Sequence, residues 1–429
     1  MLTTNKRVTP LQIERKPNLK ICLLGYRSNP YSGGQGIYIK CLSKALSEAG
    51  HSVDVISGEP YPDLDEKVRL IKLPGLNLFE ADNHVTALRP KHLLSYTDFF
   101  EWLSMLTGGF PEPYTFGRRL VKYFKLHKPN YDIVHDNQSL CFGTLKLQKM
   151  GIPVITTIHH PITSDLRIAL QSTDDWKLRL LIKRWHSFLH MQKKIVKELE
   201  HIVTVSKASK HDIASDFRIP EAKIHVVHNG IDTKMFRPLP SIISEEFNVM
   251  ATASADVPLK GLDYLIHAIS ILSKNIPTIT LTVLGTLKKD GNTATLITQL
   301  GMKDRIHFHS GLSSQKVVEL YAKASCAVVP SIYEGFGLPA GEAMACGVPV
   351  VATDGGALPE VVGDAGITVP KRDEIALADA IGTLLAKPEL RQSLARKGRA
   401  RVLKLFSWEV AAKDMSKLYR QVISGKAPQ

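Results

Sequence analysis

Two glutamates lie close together in a short stretch of small and apolar residues. Glu334 and Glu342 are separated by seven residues, and Gly335 and Gly337 lie between them. A carboxylate only accepts hydrogen bonds, and its two oxygens can take two neighbouring hydroxyl groups at once, as a ribose presents them. Glycines let a ligand approach the backbone closely. The spacing therefore predicts a nucleotide-like ligand, with Glu342 on the ribose and Glu334 beyond the phosphates.

The same stretch has the pattern of a strand, a glycine loop, a short helix and a second strand. The apolar run Cys326–Val329 suits a buried strand, Pro339 suits the first turn of a helix, and Gly347 ends that helix. The first turn of a helix presents unpaired backbone N–H groups and a positive dipole end, which together favour phosphate. Without these neighbours, the two acids would be a helix-capping acid and a solvated loop residue.

The stretch from Pro330 to Thr353 resembles the E-x7-E signature of the retaining family 4 glycosyltransferases. The resemblance implies an α/β protein with the GT-B fold, in which two Rossmann-like domains face a central cleft. It also implies transfer of a sugar from a nucleoside-diphosphate sugar to an acceptor hydroxyl, with retention of configuration and no covalent sugar-enzyme intermediate. The donor contacts implied within this stretch are Glu334, Gly335, Phe336, Gly337, Leu338 and Glu342.

Two further parts of the resemblance lie in the N-terminal half. Gly33 and Gly34 open a helix in a β-α-β unit, and the family has a similar glycine pair against the donor. His159 and His160 follow an apolar strand, and ligands of doubly wound sheets bind at the carboxyl ends of strands. His159 resembles the family's strand-end histidine, which reaches the transferred sugar. His160 is the alternative if the register differs by one residue.

The strands and helices of the second half of the chain contain one of the two cations that the resemblance places at the donor diphosphate, and they lack the other. Lys260 opens a helix after a strand, and the family places a lysine there on the donor diphosphate. Six residues earlier, where the family usually has an arginine, this chain has Ser254 at the donor site. Either another lysine or arginine replaces that cation, or phosphate recognition is altered. The catalytic residues that the resemblance implies are thus His159, Lys260 and Glu334.

The length of 429 residues predicts two domains of similar size. Pro238 and Pro240 mark the predicted crossing between them. By resemblance, a terminal helix packs back on the N-terminal domain. The predicted units are a flexible basic tail at 1–18, an N-terminal Rossmann-like acceptor domain at 19–238, a C-terminal Rossmann-like donor domain at 239–408, and the terminal helix at 409–429.

The composition and the spacing of cysteines, histidines and acids indicate a cellular compartment and argue against a metal site. No run of eighteen apolar residues occurs, and the first ten residues lack the apolar core of a secretory signal. The cysteines, five in number, favour a reducing cytoplasm. Asp63 and Asp65 form a D-x-D pattern, but they follow two prolines in a polar loop, and no Cys/His spacing resembles a zinc site. We therefore expect neither a metal nor another cofactor.

The formal net charge of +14 favours anionic partners. Residues 175–199 are predicted to form one basic, partly amphipathic helix, which is either a solvated outer helix or a contact with the anionic inner face of a membrane. No nucleic-acid-binding motif accompanies the charge, so nucleic acid is not an expected partner. The aromatic segment 99–116 is either a packed insertion or part of a cleft for a sugar, lipid-linked or small-molecule acceptor.

Two other functions remain open from the residues alone. A nucleotide-sugar epimerase or a phosphorylase would have the same fold, and the need for an added acceptor before nucleotide release would separate them from a transferase. A non-enzymatic binder of anions or nucleic acid would bind with a steep salt dependence and no preference for nucleoside diphosphates.

Overall fold

The computed structural model describes residues 18–30, 34–78, 83, 90–171 and 173–425. The described chain forms two parallel β-sheets. The strands of the first sheet are β1 Lys20–Gly25, β2 Ser52–Ser57, β3 Arg69–Lys72, β4 Ile133–Asn137, β5 Val154–Thr157, β6 Ile202–Thr204 and β7 Ile224–Val226. The strands of the second sheet are β8 Asn248–Thr252, β9 Thr280–Leu284, β10 Ile306–His309, β11 Cys326–Val329, β12 Val350–Thr353 and β13 Ile367–Val369.

Both sheets have the same type of strand order. The first runs β3-β2-β1-β4-β5-β6-β7 and the second β10-β9-β8-β11-β12-β13. The order reverses beside β1 in the first sheet and beside β8 in the second, and such switch points are where open α/β sheets bind ligands. Strands covered on both faces need continuous apolar runs, and β4 and β5 are buried along their whole length. The two-domain, Rossmann-like prediction is confirmed.

Helices cover both faces of the sheets. In chain order they are α1 Gly34–Glu48, α2 Pro90–Leu93, α3 Tyr96–Leu106, α4 Glu112–His127, α5 Phe142–Lys149, α6 Ile162–Gln171, α7 Trp176–Trp185, α8 Leu189–Glu198, α9 Lys207–Phe217, α10 Leu262–Ser273, α11 Asn292–Gln299, α12 Ser314–Lys323, α13 Leu338–Ala345, α14 Leu358–Val362, α15 Glu374–Ala386, α16 Pro388–Leu405 and α17 Trp408–Ile423. Within the described residues, no helix is both long and apolar enough to cross a membrane.

The last helix, α17, belongs to the core of the first domain. Its buried residues Met415, Leu418 and Tyr419 pack in one apolar cluster with β1 and α1. The Tyr419 hydroxyl lies 2.5 Å from Nδ1 of His135 on β4, which ties the end of the chain to the centre of the first sheet. The chain therefore crosses between the sheets twice, and a β-bridge between Ile231 and Ser407 joins the two crossings.

The predicted single helix at 175–199 is wrong. A 3-10 turn at His186–Phe188 separates α7 from α8. Trp185 and Phe188, at the two ends of the turn, both pack on Phe110, with ring centroids 5.0 and 5.5 Å away, so the turn coincides with a contact to a distant segment. The two halves then differ in burial, because α7 buries none of its residues whereas α8 buries four.

Candidate active site

The loop 331–337 follows β11 at the carboxyl edge of the second sheet and presents Glu334. The Ser331 hydroxyl donates to Oε1 of Glu334 over 2.8 Å, and the Ala357 N–H donates to the Glu334 carbonyl over 2.9 Å. An added Cβ on Gly356, whose φ is +61°, would overlap that same carbonyl oxygen. The segment after β12 that contains Gly356 and Ala357 thus holds the backbone of Glu334 in place.

Lys260 and Glu334 lie 74 residues apart in the sequence and are brought together in the second domain. Lys260 ends a 3-10 turn before α10, and its Nζ lies 2.7 Å from Oε1 of Glu334. The Glu334 side chain is only 12% exposed, whereas that of Lys260 is 33% exposed. The ion pair thus places a cation that can still reach a ligand beside a carboxylate that is fixed by two donors.

The same loop touches the first domain through Gly335. Its carbonyl oxygen accepts hydrogen bonds from the Ser206 and Ser209 hydroxyls, at 2.7 and 3.0 Å. An added Cβ on Gly335 would lie 3.1 Å from the carbonyl oxygen of His159, so glycine permits this close approach. Glu334 and His159 therefore lie on opposite walls of one cleft.

The ring of His159 is held in one tautomer. Its Nε2 lies 2.7 Å from Oδ1 of Asn137, and Nδ2 of Asn137 donates to the Gln35 carbonyl over 3.1 Å. A carbonyl oxygen only accepts, so the amide group must direct Oδ1 at the histidine. Nε2 therefore carries the proton, and Nδ1 is left with a lone pair. The backbone N–H of His159 is held in turn by Oε1 of Gln138, at 2.8 Å.

His159 is neutral at physiological pH. Burial, helped by neighbouring His160 and His135, lowers its pKa to about 3. Its ring meets the Tyr38 ring of α1 edge to face, at 4.6 Å between centroids. His160 differs, because its Nε2 pairs with Asp165 of α6 at 3.1 Å. Of the two histidines, His159 is thus the one that faces α1 and its glycine-rich start.

Replacing Asn137 by aspartate is expected to raise the pKa of His159 by two units or more, because a carboxylate beside Nε2–H stabilises the imidazolium. Nitrogen-15 NMR of the histidine rings between pH 4 and 8 measures the shift, with buried His135 as the internal reference. Native His159 should keep its neutral Nε2–H signature down to pH 5. An Asn137→Asp spectrum that matches the native one at every pH would contradict the tautomer assignment.

Glu342 lies within α13, and its carboxylate is the least compensated in the cleft. In the described part of the chain it has no hydrogen-bond or ion-pair partner. Burial raises its pKa to about 8. A buried carboxyl group without a partner is costly unless a ligand supplies one, and such perturbed groups concentrate at functional sites.

The start of α13 offers backbone donors. Gly337 precedes the helix with a φ of +98°, and no side chain caps this end. Pro339 has no N–H, so the N–H groups of Gly337 and Leu338 are the ones exposed to a ligand there. The ring of Phe336 is buried against Phe406, at 5.6 Å between centroids, so the predicted donor contact of this residue would have to be made by its backbone. Its side chain packs in the core, and only its backbone borders the loop.

The remaining predicted residues lie at the same edges of the sheets. Gly34 is the first residue of α1, and an added Cβ there would meet no atom within 4 Å. Gly33 and the tail at 1–17 lie outside the described residues. Ser254 follows β8 and is exposed, and it forms no hydrogen bond within the described residues.

The D-x-D pattern and the aromatic segment both contact neighbouring elements of the first domain. Asp63 pairs with Lys40 at 2.6 Å and Asp65 with Lys44 at 3.7 Å, so both acids bind lysines of α1. No group of three metal-ligating side chains occurs in the part of the chain that the structure describes. In segment 99–116, Phe110 packs between Trp185 and Tyr26, which follows β1. Phe110 is therefore packed, and it reaches the carboxyl edge of the first sheet, whereas Phe99 earlier in the segment is exposed.

Sequence reasoning missed four residues of this arrangement: Asn137, Gln138, Ser206 and Ser209. The first three lie at or just after the carboxyl ends of β4 and β6. The strand-end rule that selected His159 would have selected them too, once β4, β5 and β6 were recognised as neighbours. Ser209 lies one turn into α9, and only the fold shows that it reaches Gly335.

Comparison with known families matches both halves of the chain. Residues 32–235 match the family described as Glycosyltransferase Family 4, and residues 240–401 match Glycosyl transferases group 1. The chain is 41% identical to an MMP alpha-(1->4)-mannosyltransferase of Mycolicibacterium hassiacum, over 95% of this chain and 99% of the relative. It is 25% identical to a D-inositol 3-phosphate glycosyltransferase of Kribbella flavida, over 94% of this chain and 96% of the relative.

Solved structures share the fold. Sucrose-phosphate synthase from Thermosynechococcus elongatus superposes with a TM-score of 0.71 at 24% identity, covering 95% of this chain and all of that one. Anabaena HepE in complex with UDP-glucose superposes with a TM-score of 0.67 at 18% identity, covering 94% of this chain and all of that one.

Proposed function

The chain belongs to the family 4 glycosyltransferases of the GT-B fold, and we propose that it transfers a hexose from a nucleoside-diphosphate sugar with retention of configuration. One observation carries the proposal. The Lys260–Glu334 ion pair lies on one wall of the cleft, and His159, in a fixed tautomer, lies on the other. A cation, a hydroxyl-binding carboxylate and a neutral imidazole acceptor are the groups that such a donor requires between its diphosphate and its sugar.

The proposed donor carries mannose. The support is the relative named as a mannosyltransferase, which is 41% identical over nearly the whole of both chains. A nucleotide donor is supported by the solved HepE complexes with UDP and with UDP-glucose. The acceptor is the hydroxyl group of a glycan, a glycolipid or a small molecule.

Each side chain of the cleft has a separate task in this proposal. Lys260 and the backbone N–H groups before α13 stabilise the negative charge that builds on the departing diphosphate. Glu342 takes the ribose hydroxyls, since its carboxylate has no other partner. Glu334 and Nδ1 of His159 accept from sugar hydroxyls and fix the ring between the two domains. The acceptor hydroxyl then attacks the anomeric carbon on the face that the diphosphate leaves.

A metal ion is not required in this proposal. Lys260 and the N-terminal end of α13 supply positive charge and N–H donors where a divalent cation would otherwise neutralise the diphosphate. We expect transfer activity to change by less than about twofold in excess EDTA. The measurement is the initial rate of nucleotide release in the presence of acceptor, with and without the chelator. Activity that disappears with EDTA and returns with Mg²⁺ or Mn²⁺ would refute metal independence.

A thermal-shift panel tests the donor. Nucleoside diphosphates with each common base, and their mannose and glucose conjugates, are compared at equal concentration, since selective binding to the native state raises the melting temperature. Proton NMR of the product from the best donor then reports the anomeric configuration. An inverted product, or nucleotide release that does not need an acceptor, would overturn the proposal.

Contact of segment 175–199 with an anionic membrane surface is also proposed, and it is confined to α7. Trp176, Leu180 and Leu181 are exposed on this helix beside Lys177 and Lys183, a combination typical of interfacial helices. Weaker sedimentation of Trp176→Ser with anionic vesicles would support this contact, and unchanged sedimentation would contradict it.

A further inference from the structure

Helix α3 has an apolar outer face, and its inner face buries the polar side chains of Glu101 and Ser104 beside Met105. Tyr96, Phe99, Leu103 and Leu106 recur at helical spacing, and their side chains are between 37% and 61% exposed. A surface helix of a globular protein normally shows the reverse arrangement, with its apolar stripe against the core. The outer stripe of α3 is therefore suited to contact with something outside the chain.

The inner face of α3 explains why the helix keeps this orientation. Glu101 is buried and accepts from Nη1 of Arg119 at 2.6 Å, and Asp98 accepts from Nη2 of the same guanidinium at 2.5 Å. Ser104 is also buried, and its hydroxyl accepts from Arg184 at 3.1 Å. Rotating the apolar stripe inward would break these charge-assisted bonds, so the stripe is held outward.

A row of cations on α4 lies beside the stripe. Arg118, Lys122 and Lys125 recur at positions i, i+4 and i+7, which places them on one helix face over about 10 Å. The Arg118 guanidinium stacks on the Tyr96 ring at 4.9 Å, so the row adjoins the first turn of α3. Within the described residues, Lys122 and Lys125 have no carboxylate within ion-pair distance.

A second row on α5 faces the first. Phe142, Lys146 and Lys149 follow the same i, i+4, i+7 spacing, and a groove of about 890 Å³ lies between the two helices. Glu198 is the one acid among the described residues that line it, and it pairs with Lys149 at 3.8 Å. Like charges gathered around one groove repel each other, so the arrangement is favourable only with an anionic occupant.

We propose that the outer stripe of α3 and the basic groove between α4 and α5 form a docking surface for an anionic phospholipid bilayer. The aromatic and aliphatic side chains of α3 would enter the boundary between headgroups and acyl chains. The cations of the groove would lie at the level of the phosphate groups, where each contributes to binding. This surface is separate from α7, although Arg184 of α7 reaches Thr107, which follows α3, at 2.9 Å.

A bilayer fits this face better than other partners. A second copy docked by two-fold symmetry through the same face would place the cations against their own counterparts. Single-stranded nucleic acid would bind the cations and stack on the aromatic side chains. It would leave Leu103, Leu106 and the 71% exposed Leu126 beside the groove without apolar contacts. An anionic surface with an apolar interior satisfies both the charges and the apolar stripe.

One end of the surface lies near the active site. Phe142 begins α5 directly after the loop that follows β4, and that loop contains Gln138, which holds the backbone of His159. A bilayer on this face would therefore lie beside the cleft-facing edge of the first sheet. The arrangement would give the cleft access to an acceptor that is anchored in the membrane.

Sedimentation with lipid vesicles tests the surface and needs no sugar transfer. The protein should bind vesicles of phosphatidylcholine with phosphatidylglycerol and not vesicles of phosphatidylcholine alone. Replacing Lys122, Lys125 and Lys146 together by glutamine should weaken binding about 100-fold, since each lysine contributes about fivefold at an anionic surface. A matched triple variant at Lys371, Lys397 and Lys404, exposed lysines of the second domain, removes the same charge and should bind within about twofold of the native protein.

A second variant tests the apolar part. Leu103→Ser with Leu106→Ser changes only exposed positions, so the fold should persist while vesicle binding weakens. Native protein that does not sediment with phosphatidylglycerol vesicles would overturn the proposal, as would an unchanged groove variant. Dimerisation that is lost in the leucine variant would assign the surface to a second copy instead. An oligonucleotide that binds the groove more tightly than the vesicles do would also overturn it.

Discussion

Replacing Glu334 by glutamine is expected to lower kcat/KM for sugar transfer by a factor of about 10² to 10³, with the fold intact. The amide has the shape of the carboxylate, so the hydrogen bond from Ser331 can persist. It lacks the negative charge, so the 2.7 Å ion pair with Lys260 is lost. The lysine is then no longer held at the cleft wall, and the sugar hydroxyls lose their acceptor. Steady-state kinetics with the donor chosen by thermal shift give the ratio.

A second ion pair of the same length provides the control. Lys316 and Glu319 on α12 also lie 2.7 Å apart, but they are on the outer surface. Glu319→Gln removes the same kind of interaction and should keep at least half of the native activity, because exposed ion pairs contribute little. If Glu334→Gln retained a similar activity, Glu334 would have no role in transfer. Lys260→Gln should resemble Glu334→Gln, and the double variant should lose little more, since the two residues act as a unit.

The parts of the predicted site that depend on local patterns could be proposed from the sequence. Glu334, Gly337 and Glu342 lie in one strand-loop-helix unit, so their spacing predicts that they share a ligand. Lys260 begins a helix after a strand, and the resemblance places a lysine there. The family, the fold class and glycosyl transfer are confirmed by the comparisons and the sheet topology.

The features that the sequence could not predict depend on contacts between residues that are far apart in the chain. The resemblance includes Phe336 among the donor contacts, but it does not predict that Phe406, from the second crossing, covers its ring. The break between α7 and α8 depends on Phe110, about 75 residues earlier in the chain. The hydrogen bond between Asn137 and His159 joins the carboxyl ends of β4 and β5. The spacing of these two residues in the sequence does not predict it.

The amphipathic pattern of a helix does not specify the element against which its apolar face packs. The apolar face of α17 could cover either sheet, and only the fold shows that Tyr419 reaches His135 on β4. The apolar stripe on α3 gives a wrong expectation, because a periodic apolar face predicts that the face is buried, whereas this face is exposed. Here buried Glu101 and Arg119 turn that face outward. Periodicity therefore predicts that a helix forms, whereas buried polar bonds decide which face it buries.

Glu342→Gln is expected to stabilise the protein at alkaline pH and to leave stability unchanged at pH 4. Burial raises the pKa of Glu342 from 4.5 to about 8 in the native state. The proton held by the native state therefore favours folding fully below pH 4.5, and this contribution is lost as the pH rises through 8. By pH 9 the native protein carries a charge at this partly buried position, which lowers its free energy of unfolding. Glutamine carries no charge at either pH.

Urea unfolding of native protein and Glu342→Gln at pH 4, 7 and 9 measures this difference, with the exposed Glu389→Gln as the control. The gain for Glu342→Gln should grow with pH, and parallel stability curves would contradict a buried, uncompensated carboxyl group. The same residue links stability to the proposed donor. If ribose hydroxyls are the missing partner of the carboxylate, saturating nucleotide should raise the native melting temperature more at pH 9 than at pH 6. That difference should vanish in Glu342→Gln, because an uncharged amide gains nothing further from the ligand as the pH rises.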